Sequence, residues 1–382
     1  MDTQQQRQFA LVAGEASGDL LAGLMLDGLR ARWPGMQAAG IGGPQMLARG
    51  FESWWPQEKL AVRGYIEVLR HYPEIAGIRR QLKARLLRER PDIFIGVDAP
   101  DFNLDLEAGL RASGVRTAHF VCPSIWAWRP ERIEKIRAAA DHVLCIFPFE
   151  PDLLARHGVA GSYVGHPLAQ VIPMQPDRAA ARAALGLDAQ APVVALLPGS
   201  RLSELRYIAP RFLQAAARMR ADEAGLQFVL PTLPSLMPQA RQMVDAAGLA
   251  GQVLLTQGRS HEVLAACDVT LIASGTATLE AALFKRPMVI AYTMNHLTWR
   301  LMVRKQLQPW IGLPNILCQE FVVPELIQDQ ASPEALARAT LEWLRSPAKV
   351  SQLQQRFTAL HDELRRDTPT LCADAIEKVL AG

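Results

Sequence analysis

Ser274-Gly275-Thr276, followed four residues later by Glu280, is the stretch of this 382-residue chain best suited to hold a phosphorylated ligand. Val269 to Ala273 is short, apolar and β-leaning, and Thr278 to Lys285 is a run of helix formers. The serine, glycine and threonine therefore form a tight turn between a strand and a helix. Such a junction aims free N–H groups and the positive end of a helix dipole above the sheet, and Gly275 lets a phosphate approach closely. Glu280, about one turn into the helix, is placed to grip the vicinal hydroxyls of a ribose. The same residues also suit a plain N-cap at Ser274 or Thr276 with Glu280 on a solvated face, and the spacing alone does not separate the two. Gly199-Ser200-Arg201 repeats the arrangement after the apolar run Val193 to Leu197 and adds a cation.

Carboxylates that could move a proton cluster elsewhere. Asp98 closes the strand-like run Asp92 to Val97, and Asp101 and Asn103 follow it. Glu15, Ser17 and Asp19 follow a first strand, Phe9 to Ala13. A carboxylate at the end of a strand is well placed as a general base, but an Asx-type turn closing before Pro100 would use Asp98 equally well. Asp101, Glu15 and Asp19 are the rival carboxylates, with Ser17 and His119 behind them. Asp98-x-x-Asp101 is not the closely spaced pair that holds a divalent ion under a diphosphate. The five cysteines are scattered, odd in number and without a C-x-x-C pair, so free thiols and no metal site are expected.

The elements that must carry these residues alternate strand and helix. Strands are expected at 9–13, 37–41, 92–98, 117–121, 142–146 and 162–164, then again at 193–197, 227–231, 253–256, 269–273 and 288–292. That pattern means mostly parallel sheets covered on both faces. Between 44 and 90 the pattern is helical, broken at Gly64 and Pro73, and a helix begins at Leu104. The fold class is α/β: two Rossmann-like domains, 1–172 and 173–345, facing a central cleft, with a helical tail, 346–382, free to pack back on the first domain. Gly14-x-x-x-Gly18 lacks the G-x-G spacing of a dinucleotide fingerprint. Hydrophobic residues at 49% and charged residues at 21% fit a globular chain and exclude disorder. No apolar run approaches a membrane span, and residues 1–8 lack a signal-peptide core, so a cytosolic location is expected. The net charge of +3 is uneven, because residues 59–90 carry nine basic and three acidic side chains. That local excess points to an anionic surface partner, unless it is only a solvated helix face.

Six strings in order, Ala13-Gly-Glu-Ala-Ser-Gly-Asp19, Gly96-Val-Asp-Ala-Pro-Asp-Phe-Asn103, Pro123-Ser-Ile-Trp-Ala-Trp128, Leu197-Pro-Gly-Ser-Arg201, Ala273-Ser-Gly-Thr-Ala-Thr-Leu-Glu280 and Gly312-Leu-Pro-Asn315, resemble the lipid-A-disaccharide synthase family of GT-B glycosyltransferases. The resemblance implies an inverting transfer from UDP-2,3-diacylglucosamine to 2,3-diacylglucosamine 1-phosphate. The products are a β-1′,6 disaccharide and UDP, made on the cytoplasmic face of the inner membrane. It implies Asp98 as the base, with Gly199, Ser200, Arg201, Ser274, Gly275, Thr276, Glu280 and Asn315 at the UDP-sugar. It implies no cofactor and no metal, so helix N-termini and Arg201 must neutralise the leaving UDP. The expected partners are the two lipid-linked sugars and, through residues 59–90, the inner-membrane surface. No nucleic acid is expected, and a homodimer is left open. Tyr65, Ile66, Leu69 and Tyr72 fall on one helix face suited to a membrane, although Tyr65 to Tyr72 is less hydrophobic than the family's patch there. A UDP-N-acetylglucosamine 2-epimerase and a non-catalytic nucleotide- or lipid-binding protein are the competing readings.

Overall fold

A computed structural model describes residues 7–60, 65–294, 299 and 307–382, with the backbone alone for 65–72. The chain divides into two compact units, Met1–Pro167 with Glu363–Gly382, and Leu168–Asp362.

In the first unit, seven parallel strands run β1 (Gln8–Ala13), β2 (Gln37–Gly42), β3 (Glu52–Pro56), β4 (Ile93–Val97), β5 (Arg116–Phe120), β6 (His142–Cys145) and β7 (Gly161–Tyr163), in the spatial order 3-2-1-4-5-6-7. Helices α1 (Ala16–Arg32), α2 (Pro44–Leu47), α3 (Tyr65–Glu89), α4 (Pro100–Arg111), α5 (Arg132–Ala139) and α6 (Glu150–Ala155) connect them. The second unit holds α7 (Leu168–Val171), α8 (Arg178–Leu185), α9 (Leu202–Asp222), α10 (Met237–Ala246), α11 (Ser260–Ala266), α12 (Thr276–Leu283), α13 (Leu313–Cys318), α14 (Pro333–Leu344) and most of α15 (Pro347–Leu364). Its six parallel strands are β8 (Val193–Leu197), β9 (Gln227–Thr232), β10 (Val253–Gln257), β11 (Val269–Ala273), β12 (Met288–Tyr292) and β13 (Glu325–Ile327), ordered 10-9-8-11-12-13. The chain ends in α16 (Thr368–Ala381), which belongs to the first unit.

Strands β4, β8 and β11 are buried at every residue, as interior strands with helices on both faces must be. Helix α3 lays Ile78, Leu82 and Leu86 on the first sheet at four-residue spacing, and α9 does the same on the second with Leu205, Ile208, Phe212 and Met219. Each such buried side chain is worth about 1.5–3 kcal/mol. In both sheets the winding reverses once, between β1 and β4 and between β8 and β11. Ligands of such open sheets bind at the carboxyl ends of the strands beside the reversal.

Four local expectations need correction. Helix α3 passes through Pro73 without a break; the proline forfeits one backbone bond, and the buried Ile78, Leu82 and Leu86 hold the rest. Strands β3 and β13 were hidden, because Glu52-Ser-Trp-Trp-Pro56 and Glu325-Leu-Ile327 are edge strands too short to show a period. Helix α4 starts at Pro100, the first-turn position proline favours, so Asp101 and Asn103 are helical and not in a loop.

Candidate active site

The second unit has a cavity of about 400 Å³ at the carboxyl ends of β8, β9, β10 and β11. It is lined by Gly199, Ser200, Arg201, Glu204, Pro231, Thr232, Leu233, Gly258, Ser260, Ser274, Gly275, Thr276, Ala277 and Glu280. Seven of the eight residues expected at a nucleotide are therefore in one place. Gly275 is the residue before α12, and no side chain caps that helix end. A Cβ built on Gly275 would touch nothing within 4 Å. The requirement for glycine there comes from its backbone, at φ 155 and ψ −168, which side-chain-bearing residues avoid. The first turn of α12 thus offers N–H groups and a dipole to the cavity. Thr278 braces the turn, its Oγ1 donating to the Gly275 carbonyl at 2.8 Å. Glu280 is half-buried and lies 3.4 Å from His261 Nε2 of α11.

The other loop is occupied differently from expectation. The Glu204 carboxylate accepts from the backbone N–H groups of Ser200 (3.0 Å) and Arg201 (3.1 Å) and from Arg201 Nη1 (3.0 Å). Gly199, at φ 113, leaves room for it, since a Cβ there would lie 2.3 Å from Glu204 Oε2. The amides expected to meet a phosphate are thus capped by a carboxylate, while the Arg201 side chain stays mostly exposed. The Arg201-x-x-Glu204 spacing is that of a capping box and was the missed signal. Ser274 donates its hydroxyl to the Ile311 carbonyl at 3.0 Å.

Asn315 does not line the cavity. It is fully buried: its Nδ2 donates to the Val323 carbonyl (2.9 Å) and to Glu325 Oε1 (2.8 Å), and its Oδ1 accepts from Val323 N–H. Glu325 in turn receives the N–H groups of Ile311 and Gly312. Asn315 is therefore an anchor for the 311–312 loop that Ser274 also holds, one layer behind the cavity wall.

In the first unit the loops after β1 and β4 abut: a Cβ on Gly14 would meet Ala99 Cβ at 3.5 Å. That contact sets the loops that carry Glu15, Ser17 and Asp98 side by side at the switch point. Asp98 is half-buried and, with Ala99, left-handed at φ 53 and 43. Such torsions are strained for residues with side chains, and they turn Asp98 out of the line of β4. Asn103 Nδ2 supports the turn by donating to the Asp98 carbonyl at 2.8 Å. Glu15 is half-buried just before α1, and Ser17 is exposed in its first turn.

Two rivals for the base are committed elsewhere. Asp19 is buried, and its oxygens accept from the N–H groups of Gly43 (2.9 Å), Gln45 (2.8 Å) and Met46 (3.1 Å), capping α2. Asp101 is exposed and pairs with Arg132 at 2.6 Å. His119 is fully enclosed.

The cavity of the second unit and the Asp98 turn of the first belong to a chain that a model of known families matches from residue 9 to residue 376, under the description lipid-A-disaccharide synthetase. The chain belongs to that family of glycosyltransferases. The lipid-A-disaccharide synthase of Albidiferax ferrireducens is 65% identical over 383 residues, covering 99% of this chain and 98% of that one. Among solved structures, the UDP-GlcNAc 2-epimerase from Neisseria meningitidis bound to UDP-GlcNAc superposes with a TM-score of 0.64 at 10% identity, covering 99% of this chain and 100% of that one. The calicheamicin glycosyltransferase CalG4 gives 0.59 at 15%, covering 99% of each. The likeness to the epimerase is one of fold; the epimerase reading gives way to the family match. The fold is GT-B, two parallel-sheet α/β domains with a helical C-terminal region.

Proposed function

We propose that the chain transfers the diacylglucosaminyl group of UDP-2,3-diacylglucosamine to the 6-hydroxyl of 2,3-diacylglucosamine 1-phosphate. The observation that carries the donor half is the uncapped N-terminus of α12 facing a cavity with Glu280 one turn further on. The diphosphate lies against the first-turn N–H groups of α12, with Arg201 beside it and the ribose on Glu280. Pro231 and Leu233 supply an apolar wall for the uracil. Asp98 takes the proton of the acceptor hydroxyl as its oxygen bonds to C1, and the C1–O bond to UDP breaks with inversion. The electron pair leaves on the β-phosphate, where fixed N–H dipoles and a guanidinium can do the work of a cation without a metal.

The proposal extends to where the reaction takes place, the cytoplasmic face of the inner membrane. Among the described residues no helix is long and apolar enough to cross a membrane. The support for surface docking is the basic 59–90 segment, where Arg88 is three-quarters exposed. Lys59, Arg79 and Arg85 are already paired with Glu74, Asp105 and Glu89. The side chains of Tyr65, Ile66, Leu69 and Tyr72 lie outside the described residues.

The test is UDP release from the UDP-sugar, expected only when the lipid acceptor is present. Asp98→Asn is expected to lower turnover by roughly 10²–10⁴ and to leave UDP binding intact. Acceptor-independent UDP release, or an Asp98→Asn variant within a few-fold of the parent, would refute the reading.

A further inference from the structure

Behind Asp98 lies a buried polar group that this mechanism does not use. Asn103 and Glu107, one turn apart on α4, and His119 on β5 are all completely buried. Glu107 Oε1 is 2.7 Å from His119 Nδ1. Gly96, the register partner of His119, makes room for the pair: a Cβ there would lie 2.0 Å from Glu107 Oε1 and 2.7 Å from Asn103 Cβ. Asn103 Nδ2 donates to the Asp98 carbonyl, with longer contacts to the carbonyls of Val12 (3.4 Å) and Val97 (3.5 Å), so it ties together the ends of β1 and β4. Asn103 Oδ1, Glu107 Oε2 and His119 Nε2 find no hydrogen-bond partner among the described residues.

For stability alone this is a poor use of the space between a sheet and a helix. Buried ion pairs with unmet hydrogen-bonding capacity are no better than apolar filling, and often worse. What the arrangement does provide is a fixed turn and a buried polar pair behind it.

We propose that Asn103, Glu107 and His119 are positioning residues for Asp98, the asparagine fixing its left-handed turn and the buried Glu107–His119 pair bracing the helix and strand behind that turn. The inference rests on the reading of Asp98 as the base. Burial works against charge on both partners and pushes the Glu107 carboxyl up, but the attraction between the two, with a smaller contribution from Asp98, holds the His119 imidazole above its ordinary value. Glu107 and Asp98 are the charges that bear on it; its neighbour on β6 is Val143, and the buried side chains of α16, which packs on β5, are uncharged. Positive charge near a carboxylate favours the charged form, the form that can take up a proton.

Glu107→Gln keeps the shape of the pair and removes the countercharge, leaving the buried imidazole neutral. It is expected to lower kcat about tenfold and to move the acid limb of kcat/KM against pH upward by about one unit. KM for both substrates and UDP affinity should stay within about twofold, because no substrate contact is lost. In an Asp98→Asn background the same change should cost nothing more, since the group it positions is gone. If Glu107→Gln does not fold, Glu107→Gln with His119→Asn, which neutralises both partners, is expected to give the same kinetic signature. A folded variant with an unmoved acid limb, or an additional loss on top of Asp98→Asn, would overturn the proposal while leaving Asp98 as the base. Collapse of both variants would overturn it too, because the cluster would then serve the fold. Parent-like turnover in Asp98→Asn alone would remove the base itself and the proposal with it.

Discussion

Replacing Glu280 by alanine probes the nucleotide assignment most directly. The side chain lines the cavity from within α12, one-fifth exposed, and its one ion pair among the described residues is the 3.4 Å contact to a half-exposed His261. That pair is worth under about 1 kcal/mol, and alanine is the better helix former, so folding stability should change by no more than about 1 kcal/mol. A carboxylate accepting from a ribose hydroxyl makes a charge-assisted hydrogen bond worth about 1–3 kcal/mol. The expected result is a Kd for UDP weaker by roughly 5- to 150-fold, read by titration calorimetry, with a melting temperature close to the parent's. Glu280→Gln, which keeps an acceptor and loses the charge, should fall between the two. A folded alanine variant that binds UDP as the parent does would take Glu280 out of the site and leave the α12 cavity without its ribose contact.

Asp19→Ala would leave three amide groups at the start of α2 without their acceptor and should cost about 2–4 kcal/mol of unfolding free energy. The turnover of the fraction that remains folded should be nearly unchanged, and a specific loss of kcat at parent-like stability would return Asp19 to the list of bases. Glu150 is pushed up to about 8 by burial, against the pull of the Phe147, Trp126 and Ile146 N–H groups. A folded value above the ordinary 4.5 means that its stabilisation is fully present below that pH and is lost as pH rises through 8. Urea denaturation should therefore show the parent weakening between pH 5 and 8.5, by at most roughly 4–5 kcal/mol, with a flatter profile in Glu150→Gln; parallel profiles would contradict the assignment.

The parts of the fold that were legible are those where one strong pattern decides the outcome. Ile93 to Val97 and Val269 to Ala273 are continuous apolar runs followed by turn residues, and a parallel interior strand is the arrangement that buries them. Edge strands β3 and β13 bury little and leave no such pattern. The cavity residues were readable because Gly199, Gly275 and Glu280 follow strand ends at helix-start spacing. Residue type could not tell a carboxylate that meets substrate from one that caps a helix. Asp19 and Asn315 are polar, near glycines and after strands or turns, yet their partners, Gly43 to Met46 and Val323 to Glu325, are fixed by tertiary contacts. Glu204 is the opposite case: its spacing from Arg201 is that of a capping box and marks it locally as the acceptor for the amides of Ser200 and Arg201.

The placement of α16 has a consequence for how the protein is made. Residues 363–382 complete the first unit: Pro369 lies so close to Gly28 that a Cβ there would be 1.9 Å from its carbonyl oxygen, Arg32 pairs with Asp374 and Glu377, and Arg116 donates to the Leu380 carbonyl. On a ribosome, every residue of the second unit is therefore synthesised before the helix that covers α1 exists. At ordinary elongation rates the apolar face of α1 waits on the order of ten to forty seconds after residue 167 is made. During that interval the nascent first unit has all seven strands of its sheet but lacks one of its covering helices. Losing the final helix, by nonsense mutation or proteolysis, would injure the half of the enzyme that was translated first.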